Sequence, residues 1–140
     1  MPDFRPARPE NYVAIRALLA GQGLPSEDVV AGQEASRFHL VEQGGRLLGC
    51  AGLEVYGTDA LLRSVAVAAA ARSGGLGHAL VGIAERDAAA IGVQRLFLLT
   101  TSAPDYFSRI GYQACDRSVV PLPLVHAATY RQCGTGRGNP

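Results

Sequence analysis

Apolar positions along this chain recur with two spacings. In "ENYVAIRALLA", residues 10–20, Val13, Leu18 and Leu19, with Ile15 nearby, share one broad helical face, and "GQG" at 21–23 ends the run. "FRPAR" near the start reads as a short edge strand that tolerates its proline. "LPSEDVVAGQE", 24–34, is expected to hold a short second helix and a loop. Strand-like runs then follow. "RFHLVEQ" and "RLLGCAGLEV" flank Gly44-Gly45, which reads as a hairpin, "YGTD" at 56–59 is a second turn, and "ALLRSVAV", 60–67, is a third strand. The helical spacing returns from Leu76 to Ile91 and stops at Gly92. "VQRLFLLT", 93–100, reads as a buried strand. Ser102, Pro104 and Asp105 open a short helix to about Ile110, and "GYQACDR" supplies a last strand.

This order predicts an α/β chain of α+β type. Hairpin-linked strands are followed by a β–α–β crossover, giving a mixed sheet of about six strands flanked by helices. The 140 residues suit one domain over 1–120, with 121–140 a C-terminal segment whose Gly-rich tail, "CGTGRGNP", is expected to be flexible.

Charge narrows the choice of partner. Thirteen basic residues against twelve acidic leave a net charge of +1, without the basic excess expected for a nucleic-acid or membrane surface. No apolar run reaches the ~18 residues of a membrane span, and "MPDFRPARPENY" has no apolar signal core. Cys50, Cys115 and Cys133 are odd in number and lack CxxC spacing. They give no sign of a disulfide framework or zinc site, and Cys50 reads as a small buried residue. His39, His78 and His126 show no ligand spacing either, so no metal is expected. A reducing, cytoplasmic setting fits these features.

The dense glycine cluster in "ARSGGLGHAL" asks for a reason. Glycine costs ~1 kcal/mol per helical position relative to alanine, yet Gly74, Gly75 and Gly77 stand where a strand enters a helix. A helix start carries unpaired N–H groups and about half a positive charge, and it binds anions when no side chain blocks the approach. Arg72 can add a charged hydrogen bond. GxxxxGK[ST] is absent, and GxGxxG fails because Leu80 stands where its last glycine would be. A flexible packing turn is the plainer alternative.

Arg72-Ser73-Gly74-Gly75-Leu76-Gly77 resembles the R-x-x-G-x-G signature of the GNAT family of N-acetyltransferases. "YFSRIGY", 106–112, resembles that family's later FYxxxGF stretch, and the order of elements agrees over about residues 3–117. The resemblance implies the GNAT fold, splayed between its fourth and fifth strands, with acetyl-CoA as cosubstrate. Amides of Arg72, Ser73, Gly74, Gly75, Leu76 and Gly77 would cradle the pyrophosphate. The backbone of Val65, Ala66 and Val67 would pair with the pantetheine arm. "GLEVYGTDALLRSVAV", "LFLLTTSAPDYFSRIGY" and "DRSVVP" further resemble acetyltransferases of bacterial arsenic-resistance operons, which implies a small amine or arsenic-containing amino-acid-like substrate. Such proteins continue into a final strand beyond a C-terminal Cys-Pro that this sequence lacks. Three alternatives stand for that strand: it is missing, it is replaced by a partner chain, or it is formed from 118–125; a homodimer could cover an edge left open.

Acetyl transfer to an amine needs a base for the ammonium, a stabilised oxyanion and a proton for the leaving thiolate. Glu54, at the end of an otherwise apolar strand, is the candidate base, with a solvated turn residue as the plainer alternative. The tyrosine that usually supplies the proton falls at Phe107, and Tyr106 is one residue early, about 100° away on a helix. The candidate substitutes are Tyr106, should its helix be rotated, and Thr100 at the strand end, with packing for Tyr106 and helix capping for the hydroxyl cluster as the plainer alternatives. Arg63 and Thr101 are candidates for substrate binding, Arg63 through a substrate anion or by pairing with an acid instead. The functional expectation is an N-acetyltransferase acting on a small polar amine, in arsenic or xenobiotic resistance. The alternative is a non-catalytic acyl-CoA-binding or sensor module on the same fold.

Overall fold

The computed structural model describes residues 2–72 and 74–98, and the backbone of 113–115 and 133–135. These residues contain seven strands, β1 (Asp3–Pro6), β2 (Ser36–Gln43), β3 (Arg46–Tyr56), β4 (Asp59–Val67), β5 (Arg95–Leu98), β6 (Gln113–Cys115) and β7 (Cys133–Thr135). Two α-helices, α1 (Tyr12–Gly21) and α2 (Leu76–Ala90), and short 3-10 turns at Pro9–Asn11 and Ala69–Ala71 complete the elements. The chain groups into two compact units. One contains Met1–Leu53 and Ser64–Ala84, the other Glu54–Arg63 and Glu85–Pro140.

In the first unit the neighbouring strands run β1-β2-β3-β4. Gly44 and Gly45 both have positive φ, 59° and 79°, as a two-residue turn matched to the strand twist requires. β1 pairs antiparallel with β2, Arg5 opposite Leu40, and the Arg5 guanidinium reaches Glu42 at 2.9 Å. Asn11 links this edge to the first helix. Its Oδ1 accepts from the Arg8 N–H at 2.8 Å and from Arg5 Nη1 at 3.0 Å.

The stripe that α1 buries differs from the expected one. Ile15 and Leu19 are fully buried, while Val13 is 69% exposed. Tyr12, Ile15 and Leu19 fall at i, i+3 and i+7 on one face, and Val13 points about 100° from Tyr12. Each of the two fully buried side chains contributes roughly 1.5–3 kcal/mol. They pack with Phe38, Leu40, Cys50, Ala66 and Val29, and Tyr12 meets Phe38 edge-on at 5.7 Å. Gly52 makes room for that packing, because a Cβ there would lie 2.5 Å from the Phe38 ring. Gly49 does the same for α2, whose Leu80 would lie 3.0 Å from an added Cβ.

The helix expected within residues 24–34 does not form. The segment is a run of turns in which Val29 is buried and Val30 is not. Pro25 and Gly32, at φ 87°, break the backbone, and Arg16 Nη1 ties down the Val29 carbonyl at 2.8 Å. Single apolar contacts at Leu24 and Val29 are too few to pay for helix nucleation.

Both helices end alike. After α1, Gly23 N–H bonds to Ala20 O and Leu24 N–H to Leu19 O. After α2, Gly92 N–H bonds to Ala89 O and Val93 N–H to Ala88 O. Gly23 and Gly92, at φ 73° and 93°, supply the left-handed residue that this double bond requires.

In the second unit the strand order is β3-β4-β5-β7-β6. β4 and β5 are parallel, Asp59–Leu62 against Arg95–Leu98. The paired ends are clamped by Arg95, whose Nε and Nη2 reach Asp59 at 2.9 and 3.2 Å while its guanidinium lies 5.3 Å over Phe97. β5 is described as far as Leu98, and β4 continues to Val67. β7 pairs antiparallel with both β5 and β6. A three-residue strand is held by main-chain bonds to its neighbours and is too short to show a side-chain alternation.

Candidate functional site

In the first unit β4 runs into the start of α2. Ser64 has φ +56°, the one described non-glycine residue in the left-handed region, and it lies inside a strand. Such a kink costs roughly 1–3 kcal/mol. Cys50 supports it, its Sγ donating to the Ser64 carbonyl at 3.2 Å. The thiol is fully buried, and that burial pushes it up to about 12 despite a backbone bond from Ala66. Sequence reasoning missed Ser64. Ala60, Leu61 and Leu62 are all buried, so β4 has no alternation whose interruption would mark a bulge.

Beyond the kink, Ala66 is buried and Val65 and Val67 are half-buried. The Val67 carbonyl accepts from Gln22 Nε2 at 2.8 Å and from Arg72 Nε at 3.1 Å. Arg72 thus folds onto the strand that precedes it. Its side chain is exposed, so exchanging this bond for an incoming anion costs little.

The glycines differ in what the fold asks of them. Gly75 has φ +78°, and its carbonyl accepts the first bond of α2 from Ala79 at 3.1 Å. That conformation disfavours any side chain. A Cβ at Gly74 would meet Ala71 O at 3.6 Å, and one at Gly77 would meet Val67 Cγ2 at 3.5 Å, both ordinary contacts. Backbone strain and local crowding therefore account for Gly75 alone. The first-turn N–H groups of Leu76, Gly77 and His78 have no acceptor within the helix, and Gly74 and Gly77 put no side chain beside them, an arrangement suited to an anion. Ser73 lies outside the described residues.

The second unit contains a cluster of charged and polar side chains. Glu54 is 8% exposed, the one buried charged residue among those described. Arg63 Nη1 reaches its Oε1 at 3.2 Å, and the Tyr56 hydroxyl donates to its Oε2 at 3.3 Å. Glu54 and Tyr56, two apart, share a face of β3, and Arg63 comes from β4. The Tyr56 hydroxyl is pushed up, first by burial and then by the adjacent carboxylate, with Arg63 opposing. The structure thus brings the expected base together with the expected anion binder. Arg63 does pair with an acid, but the partner is Glu54. Tyr56 was missed because its turn, "YGTD", reads as connection only.

Thr100, Thr101, Tyr106 and Phe107 lie outside the described residues. Among the described residues no group of His, Cys, Asp and Glu could hold a metal, and no helix is long and apolar enough to cross a membrane.

The profile of the acetyltransferase (GNAT) family matches residues 4–115. The chain belongs to that family. It is 32% identical over 101 residues to an amino-acid acetyltransferase of Neisseria meningitidis, covering 71% of this chain and 23% of the relative. An amino-acid acetyltransferase of Azotobacter vinelandii is 35% identical over 100 residues, with 70% and 23% covered. The chain thus spans about a quarter of the length of these curated relatives.

Among solved structures, N-acetylglutamate synthase from Neisseria gonorrhoeae, complexed with coenzyme A and N-acetyl-glutamate, superposes with a TM-score of 0.85 at 24% identity. All of this chain and 36% of that one are covered. A Mycobacterium tuberculosis protein in complex with CoA superposes at 0.75 with 28% identity, covering 89% and 80%. The expected fold and enzyme family stand. These relatives are named for amino-acid acetylation and lend no support to the narrower arsenic-operon resemblance.

Proposed function

We propose that this GNAT-family chain transfers an acetyl group from acetyl-CoA to the amine of a small amino-acid-like substrate. The observation that carries the reading is the bare start of α2. Gly74 and Gly77 are glycines that neither strain nor crowding explains, and a diphosphate that must approach the amides does explain them. Acetyl-CoA, the cosubstrate implied by the family, supplies an activated acetyl thioester. The first-turn amides of α2 and Arg72 hold its diphosphate, and the backbone after the Ser64 kink offers pairing positions to its extended arm.

On the substrate side, Glu54 accepts the proton of the substrate ammonium, leaving a neutral amine to attack. Arg63 and Tyr56 each hold one of its carboxylate oxygens, which fixes the group that must receive the proton. Arg63 also places a guanidinium beside the base, suited to a substrate carboxylate. The amino-acid acetyltransferase relatives make an α-amino acid the natural acceptor class. A role in arsenic resistance rests on sequence motifs alone.

The test is thiol release from acetyl-CoA by the purified chain against a panel of α-amino acids, their amides and an arsenic-containing amino acid. The expected result is release with free α-amino acids and little with the amides. Saturable acetyl-CoA binding with no release for any amine would overturn catalysis in favour of a binding module.

A further inference from the structure

The cysteine spacing in the sequence gives no pairing, but the strand register does. β6 and β7 run antiparallel with Gln113 opposite Thr135, Ala114 opposite Gly134 and Cys115 opposite Cys133. Directly opposed residues of an antiparallel ladder lie about 4.5 or about 5.5 Å apart at Cα. A disulfide spans about 4.4–6.8 Å. Either kind of opposed pair falls within that window without backbone movement.

We infer that Cys115 and Cys133 form a reversible dithiol–disulfide site, a modification site separate from acetyl transfer. Two further features favour it. Among the described strands β6 ends the order β5-β7-β6, so the pair lies on the last ladder of that order. The third cysteine does not compete. Cys50 is fully buried, its thiol donates to the Ser64 carbonyl, and burial holds it protonated far above neutral pH.

The oxidant class is a small-molecule disulfide such as oxidised glutathione. One cysteine thiolate attacks it, forming a mixed disulfide and releasing one glutathione thiolate. The second cysteine thiolate then displaces the other glutathione and closes the protein disulfide. Two electrons pass from the protein sulfurs to the reagent. The two protons lost from the cysteines end on two glutathione thiols. The bond joins β6 to β7, which is itself paired with β5 through Phe97–Thr135 and Leu98–Gly134. Oxidation would therefore fasten this end of the second unit, and a dithiol reductant would release it.

The experiment uses the full chain, incubated with oxidised glutathione or with dithiothreitol, then alkylated and digested with trypsin. Cleavage after Arg109, Arg117, Arg131 and Arg137 separates peptide 110–117 from peptide 132–137. The expected product is these two peptides joined, lighter by two hydrogens than their sum. It should be absent after dithiothreitol and after Cys133→Ser, where Cys115 should retain glutathione. The oxidised wild-type protein should also melt at higher temperature than the reduced one. Glutathione retained on both cysteines of the wild-type chain, or a linkage only between two copies of the chain, would overturn the proposal. The wild-type peptide map decides this without any variant.

Discussion

The start of α2 and the Glu54 cluster are built from different materials. At α2 the proposed binding groups belong to the main chain, and the side chains are reduced to hydrogen at three positions. At Glu54 the proposed working groups are side chains, and the main chain serves to bring β3 and β4 side by side. A main-chain site tolerates sequence change except where bulk intrudes. A side-chain cluster fails when any member is replaced, because each one leaves a buried partner unsatisfied. The contrast makes different variants diagnostic in the two places.

The largest effect is expected at Glu54. Glu54→Gln keeps the shape and loses the basic oxygen, so kcat should fall by about 10²–10⁴, the usual contribution of a general base. Acetyl-CoA affinity by titration calorimetry should stay within about twofold. A kcat within about twofold of wild type would remove Glu54 from the chemistry.

Next comes Gly77→Val. The contact to Val67 Cγ2 is ordinary, so folding should change little, whereas CoA affinity should weaken by about tenfold or more as the amides are screened. Gly75→Val should lower both, since φ there is +78°. Equal loss of melting temperature and of affinity in both variants would make the glycines a packing turn only.

Arg63 tests how far the cluster serves structure as well as substrate. Removing one member of a buried ion pair costs about 3–5 kcal/mol, so Arg63→Gln should lower the melting temperature. Arg63→Lys keeps the charge but loses the planar fork. It should raise KM for an amino-acid acceptor by about tenfold with little change in kcat.

The smallest effect appears only in alkali. An unfolded cysteine ionises near 9, and the folded Cys50 thiol is pushed up to about 12. The folded state therefore binds the proton more tightly. Its contribution is fully present below pH 9 and is lost as pH rises from 9 towards 12. Cys50→Ala should flatten the fall in denaturant midpoint across that window. An identical fall in the variant would show that burial of this thiol has no bearing on alkaline stability.

The glycine loop was legible because it departs from a strong local preference. Three glycines at a helix start conflict with helix propensity, and the two Schellman ends at Gly23 and Gly92 follow the same local logic. The hairpin at Gly44-Gly45 and the apolar strands were legible for a related reason. Turn chemistry and burial act over a few neighbouring residues. The helix expected at 24–34 failed because composition was read without enough apolar contacts to hold a helix, and Val13 because a broad apolar stripe does not say which edge of it is buried.

By itself, then, the sequence determined the order of elements, the phosphate-loop candidate and the family resemblance, since these reside in residue types and short spacings. The tertiary structure alone decided that Arg63 and Tyr56 hold Glu54, that Ser64 kinks β4 against Cys50, and that Cys115 stands opposite Cys133. Apart from the Tyr56–Glu54 contact, which lies within β3, each of these depends on strand register. Register sums many weak contacts between segments distant in the chain, and no local pattern encodes that sum.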